Sequence, residues 1–152
     1  MPRFLVLTAA AVALLALAAC TDDDDGATPT LSAVPTDIVD VCLPNPDPAT
    51  AAFQILDQPA PLSEVTSPVT VSGQVNYFEA AYRIAIYDES GTALVETFGT
   101  AQQPDIGVIG PFSHDVAFTV TEPTPACLWV YESSARDGSP ANVGQVPLVL
   151  LP

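Results

Sequence analysis

Few residues in this chain have side chains that could do covalent or acid–base chemistry. His114 is the single histidine, and it stands between Ser113 and Asp115. A Ser/His/Asp relay needs the three side chains to converge on one site. Neighbouring residues of an extended strand point to opposite faces, so this trio reads as strand rather than as a hydrolytic centre. The cysteines are Cys20, Cys42 and Cys127. One histidine and three dispersed cysteines lack the ligand spacing of a zinc site. Asp88 and Glu89 read as turn residues rather than paired catalytic acids. The run Asp22 to Asp25 lacks the spaced ligands and turn glycine of a calcium loop. No phosphate-cradling glycine pattern, dinucleotide fingerprint or nucleophile elbow is present. The expectation is a protein that is not an enzyme, with no catalytic residue, metal or cofactor.

Charge narrows the partners. The chain has 152 residues with 3 Lys+Arg against 18 Asp+Glu, and its basic residues are Arg3, Arg83 and Arg136. Such a chain has no basic patch with which to displace counterions, which excludes nucleic acid as a partner. The length suits one domain with extensions. A strongly acidic, lysine-free surface is also what high-salt surroundings tend to select.

The N-terminus reads as an address. Arg3 precedes an apolar run, Phe4 to Ala19, broken only by Thr8. A membrane-spanning helix needs about 20 apolar residues, so the run fits the h-region of a signal peptide better than an uncleaved anchor. Leu17-Ala18-Ala19-Cys20 resembles the bacterial lipobox. That family implies cleavage before Cys20 and lipidation of its thiol, which would anchor the chain on the extracytoplasmic face of the cell membrane, periplasmic or extracellular. The expected organisation is a signal peptide over 1–19, the lipidated cysteine and an acidic Pro/Thr tether over 20–36, an N-terminal extension over 37–51 and a domain over 52–152. Export means an oxidising setting, so Cys42 and Cys127 are expected to form a disulfide; two unpaired buried thiols are the alternative. The bridge would clamp the segment Asp37–Pro48 onto a late strand.

The body alternates with a period of two. Phe53–Asp57, Val69–Val75, Tyr82–Tyr87, Leu94–Phe98, Val116–Val120, Cys127–Tyr131 and Val143–Leu150 read as seven strands. Cys127–Tyr131 is apolar on both faces, as in a strand buried on both sides. Trp129 and Tyr131 are core residues if their face is covered. Asp88-Glu89-Ser90-Gly91 and Arg136-Asp137-Gly138-Ser139-Pro140 read as turns. Pro147 should place the last strand at an edge or at a bulge.

Five blocks in order carry a family resemblance: Ser67–Gly73, Phe78-Glu79, Asp88–Gly91, Gly110-Pro111-Phe112 and Val130–Pro140. Together they resemble the Gmad2 domain, the immunoglobulin-like domain named from bacterial spore-germination and sporulation proteins. The resemblance covers about residues 53–150. It implies an all-β, immunoglobulin-like, seven-stranded antiparallel sandwich, often carried on lipoproteins or other envelope proteins, with ligand or protein binding as its role. Cys42 and Cys127 are not part of that family's pattern.

In such a sandwich the connections near 76–81, 99–113 and 133–142 emerge at one end. They carry Tyr77, Phe78, Glu79, Gln102, Gln103, Asp105, Ser133, Arg136 and Asp137, with Glu132 just below. Loops on a rigid sandwich commonly hold binding residues. The bland reading is that Glu79, Arg136 and Asp137 pair or cap turns while Phe78 and Phe112 plug the core. The functional expectation is a membrane-anchored, non-catalytic binding module for an envelope protein, peptide or cell-wall glycan. The alternatives are an accessory lipoprotein that spaces or stabilises a complex and, more weakly, a proteinase inhibitor using the 99–113 loop.

Overall fold

The computed structural model describes residues 41–152. The signal peptide, Cys20 with its lipidation, the tether and residues 37–40 of the extension lie outside the described residues. Eight strands follow in order: β1 (Gln54–Gln58), β2 (Ser63–Val65), β3 (Val69–Val75), β4 (Ala81–Asp88), β5 (Ala93–Thr100), β6 (Gly110–Val116), β7 (Thr124–Ser133) and β8 (Pro140–Leu150). A single 3₁₀ turn, Phe78–Ala80, precedes β4. The strands form a three-stranded sheet, order β1-β3-β6, facing a five-stranded sheet, order β2-β8-β7-β4-β5. The all-β sandwich expected from the alternation is therefore present. Its eighth strand, β2, pairs with β8 in parallel while every other pair is antiparallel. Three residues, within the six between Pro61 and Pro68, leave too little alternation for that strand to be read from sequence.

The core follows the period-two pattern. Val71 and Val75 of β3 face Ile84 and Ile86 of β4, Leu128 and Val130 of β7, and Leu148 and Leu150 of β8, all fully buried. Burying each such side chain contributes about 1.5–3 kcal/mol before entropy is counted. In β1 the parity puts Gln54 and Leu56 inward and leaves Phe53 and Ile55 exposed. Gln54 is the buried polar residue of this core; its amide donates to the Val130 carbonyl at 3.0 Å and ties the two sheets together.

Three expectations are corrected. The strand expected over Val116–Val120 lies at Gly110–Val116. Its partner β3 begins at Val69, opposite Val116, and Pro68 has no N–H to extend the ladder. Val116 and Phe118 are still buried, which is why the alternation looked like a strand; there the Phe118 amide donates to Ser67 Oγ at 2.9 Å instead of to a ladder partner. The connection expected over 99–113 is consequently shorter, spanning 101–109. Pro147 marks no outer strand, since β8 lies between β2 and β7, and the bulge that β8 does carry lies away from it, opposite Val130–Glu132. Its carbonyl accepts from Leu62 on the side away from β7, so its missing N–H falls on that side too and costs the β7 ladder nothing.

The other face of β7 makes a second core. Cys127, Trp129 and Tyr131 pack with Val41, Ala85 and Val143. The extension covers them: Asn45 Nδ2 donates to the Val143 carbonyl at 2.8 Å, Val143 donates to the Asp47 carbonyl at 2.7 Å, and Gln145 Nε2 donates to the Leu43 carbonyl at 3.0 Å. Cys42 and Cys127 are joined, with a Cα–Cα distance of 5.0 Å and a sequence separation of 85. Closing a loop that long stabilises by up to about 4–5 kcal/mol in the chain-entropy model. We expect Cys42→Ala with Cys127→Ala to lower the free energy of unfolding by up to that amount. Urea titration would read it, and an unchanged midpoint would contradict it.

Candidate functional site

The end of the sandwich where β3 passes into β4 is built by an unusual backbone. Glu79 and Ala80 both take left-handed φ, 57° and 56°, which non-glycine residues adopt at a cost. Several contacts hold them there. The Ala80 amide donates to the Tyr77 carbonyl at 3.0 Å, and the Ala80 carbonyl accepts from Ala101 at 2.8 Å. Glu132, at the end of β7, clamps the turn: its Oε2 accepts from the Phe78 amide at 2.8 Å and its Oε1 accepts from Asn142 Nδ2 at 2.6 Å. One carboxylate thus ties the β3–β4 turn to the start of β8. Tyr77 is buried and donates to the Asn142 carbonyl at 2.9 Å. Burial, then the Glu132 carboxylate, raises the pKa of its hydroxyl.

The 101–109 connection is braced against the same turn. Gln103 Nε2 donates to the Val75 carbonyl at 3.1 Å, and Asn76 Nδ2 donates to the Gly107 carbonyl at 3.1 Å. Gly107 takes φ 80°. Gln102 donates through its backbone to Pro111. Asp105 Oδ1 accepts from the Ile106 amide at 2.7 Å.

These pieces enclose an open cleft of about 680 Å³ whose lining includes Phe53, Tyr77, Phe78, Glu79, Asp105, Ile106 and Glu132. A second cleft of about 530 Å³ adjoins it and shares Phe78, Glu79 and Glu132; Arg83, Phe98 and Ser133 lie on its far side. Phe78 is therefore a ridge between the two, 66% exposed, rather than a plug for the core; Phe112 is buried and takes that role. Ser133 accepts from Arg83 Nε at 2.7 Å.

Of the residues singled out in the sequence, Tyr77, Phe78, Glu79, Gln103, Asp105 and Glu132 meet at the first cleft and Ser133 lines the second, while Gln102 lines neither. Arg136 and Asp137 line neither. They pair with one another at 3.0 Å within the β7–β8 turn. Asp137 also accepts from the Ser139 amide at 3.1 Å and its hydroxyl at 2.7 Å, and Gly138 takes φ 76°. The residues that sequence reasoning missed are Phe53, Phe98 and Ile106. Phe53 and Phe98 were read as members of strands, and a lone isoleucine in a polar loop carries little signal by itself.

His114 lies apart from this end. Its Nδ1 is 3.2 Å from Tyr82 Oη and its Nε2 3.2 Å from Thr97 Oγ1, so it bridges the two sheets. On the opposite side of β6, Asp115 Oδ1 accepts from Thr70 Oγ1 at 2.7 Å. At the outer face of the five-stranded sheet, burial and the neighbouring Tyr131 and Glu96 push the Tyr87 hydroxyl up to about 12.

A family model described as the immunoglobulin-like domain of bacterial spore germination, Gmad2, matches residues 55–139. The match omits the extension that carries Cys42, and it omits β8. No curated protein matches the chain. A solved structure, the crystal structure of CopC from Methylosinus trichosporium OB3b, is similar at 20% sequence identity over 66% of this chain and 95% of that chain, with a TM-score of 0.39.

Two outcomes are expected. Glu132→Ala, which strips two donors of their acceptor beneath a left-handed turn, should cost about 1–3 kcal/mol of stability by urea titration, and Glu132→Gln should cost less. Hydrogen bonds from Ser139, then Arg136, hold the Asp137 carboxyl down at about 2. A depressed carboxyl stabilises the fold above the unfolded value near 4, and that contribution disappears as pH falls through about 2. Asp137→Asn should therefore flatten the acid-side loss of stability in that window. An Asp137 carboxyl that titrates near 4 by NMR would contradict this.

Proposed function

We propose a non-catalytic binding role for this chain, which belongs to the Gmad2 family of immunoglobulin-like domains. In this reading it is a lipoprotein, anchored through Cys20 on the extracytoplasmic face of the cell membrane. Its partner is an envelope protein, peptide or cell-wall glycan taken up at the loop end of the sandwich. The carrying observation is the apolar lining of the first cleft: Phe53, Phe78 and Ile106 are exposed together there, with Ile106 96% exposed. Single exposed apolar residues are ordinary, whereas a clustered set rimmed by carboxylates is a mark of interaction surfaces. The left-handed turn and its Glu132 clamp add to this reading, because backbone strain held by surrounding contacts accumulates at functional sites.

The same cluster weighs against a pure spacer, which needs no apolar surface at its tip. A proteinase inhibitor needs a free-standing loop, and 101–109 is instead pinned through Gln103 and Asn76 as one wall of the cleft.

The test is capture from detergent-solubilised envelopes with the full chain as bait. Phe78→Ser and Ile106→Ser should each weaken capture by roughly tenfold or more, from the loss of one buried apolar anchor. Arg136→Ala, outside the cleft, should leave it intact. Equal capture by the folded Phe78→Ser variant would overturn the assignment of the site.

A further inference from the structure

We propose that the open edge of β5 is a strand-pairing site for an extended polypeptide segment that alternates basic and apolar residues. The inference deepens the binding reading above and rests on it, since it names polypeptide as the partner class at that end of the domain.

The phase of the ladder shows which backbone groups are free. Ala101 donates to the Ala80 carbonyl at 2.8 Å, and the β4–β5 register continues through Tyr82↔Gly99, Ile84↔Thr97 and Ile86↔Val95. Alternate residues of an antiparallel strand bond to the same side. Val95, Thr97 and Gly99 therefore turn their N–H and C=O groups toward β4. Glu96, Phe98 and Thr100 turn theirs outward, and β5 is the last strand of its sheet.

Among the described residues, the other outermost strands are blunted. β2 has three residues, β1 is bulged between Leu56 and Gln58, and β6 contains Pro111. Short length, bulges, proline and lysine are the devices by which proteins protect a sheet edge. β5 has eight residues, neither proline nor lysine, and its one irregularity lies before Val95. From Glu96 onward it offers three free donor–acceptor pairs in sequence.

The side chains on that stretch say what would pair with it. Phe98 is 75% exposed and faces the second cleft beside Phe78. A strand laid along β5 sets the residues of one face beside Glu96, Phe98 and Thr100 and those of its other face beside the half-buried Val95, Thr97 and Gly99, so basic residues two places apart lie by the Glu96 carboxylate and over the Phe98 ring while the apolar residues between them turn to the Val95 side. Running past Thr100, the segment enters the clefts at the loop end, where Glu79 stands at the rim. Glu96 and Glu79 favour lysine or arginine on the incoming strand. A second copy of this chain is disfavoured as the occupant, because two bodies with 18 Asp+Glu against 3 Lys+Arg repel each other. Main-chain pairing supplies affinity in such augmentation and alternate side chains supply selectivity.

The experiment uses the full chain with three synthetic eight-residue peptides. One alternates lysine and valine, one alternates glutamate and valine, and the third is the lysine–valine peptide with every amide N-methylated. The lysine–valine peptide should bind at least tenfold more tightly than either comparator. Hydrogen exchange at the amides of Glu96, Phe98 and Thr100 should slow at least tenfold on binding. Phe98→Pro removes an outward N–H that β4 does not use and should abolish binding. Glu96→Lys, which keeps every backbone group, should weaken it severalfold. No binding of the lysine–valine peptide, equal binding of its N-methylated form, or protection confined to residues 103–107 would overturn the proposal. Self-association of the full chain that Phe98→Pro abolishes would overturn it as well, by giving the edge to a second copy. If the peptides fail while Phe78→Ser still loses the envelope partner, the edge proposal falls and the cleft reading stands. If Phe98→Pro loses that partner and Phe78→Ser keeps it, the cleft reading falls and the edge stands.

Discussion

Burial of β7 on both faces is the constraint from which the rest of the molecule follows. Toward β3, its Ala126, Leu128 and Val130 fill the space between the sheets; on the other side Cys127, Trp129 and Tyr131 would meet water if nothing covered them. The residues after Val41 supply the cover, held by the disulfide and by hydrogen bonds to β8. The family match begins at Ile55, so the residues that form this cover lie outside the matched segment. A strand placed so centrally is a rigid post, and Glu132 stands at its end. That carboxylate reaches the β3–β4 turn and the start of β8, so the loop end is organised from the most deeply buried strand in the fold.

A polar group inside an apolar body must be paired, and the fold uses this to join its sheets. Gln54 does so near Val130, where Gly144 passes so close that a Cβ there would collide with the glutamine amide. His114 does so between Tyr82 and Thr97, with the Tyr82 ring also packed at a tilt against Phe112, centroids 4.7 Å apart. Gly99 leaves room for the Tyr82 hydroxyl. The single histidine thus acts as a cross-sheet strut, while the proposed binding surface lies where exposed apolar residues cluster.

The parts of the chain differ in how far sequence reasoning reached. The turns at Asp88–Gly91 and Arg136–Pro140 were legible because their chemistry is local: an aspartate accepting from the residue two places on and a glycine at positive φ require nothing distant. The double burial of Cys127–Tyr131 was legible because both faces are apolar in a run. The strand at Gly110–Val116 was not, because Gly110, Pro111, Ser113, His114 and Asp115 have little strand propensity; pairing with β3 makes it. Tyr77, Phe78, Glu79, Asp105 and Glu132 could be grouped because connections at one end of a sandwich converge. Their division of labour could not be read, because it depends on which carboxylate reaches which amide.

The amino-acid sequence by itself determined the period-two core, the turn positions, the acidic charge and the family blocks, since each is carried by residue type and short-range spacing. Tertiary structure alone decided the rest. It paired β2 with β8 in parallel, exposed Phe53 while burying Gln54, and left β5 outermost with Phe98 bare. The physical reason is that burial and edge status belong to a strand's neighbours. A residue's type says what it would gain from being covered, and only the assembled sheets say whether anything covers it.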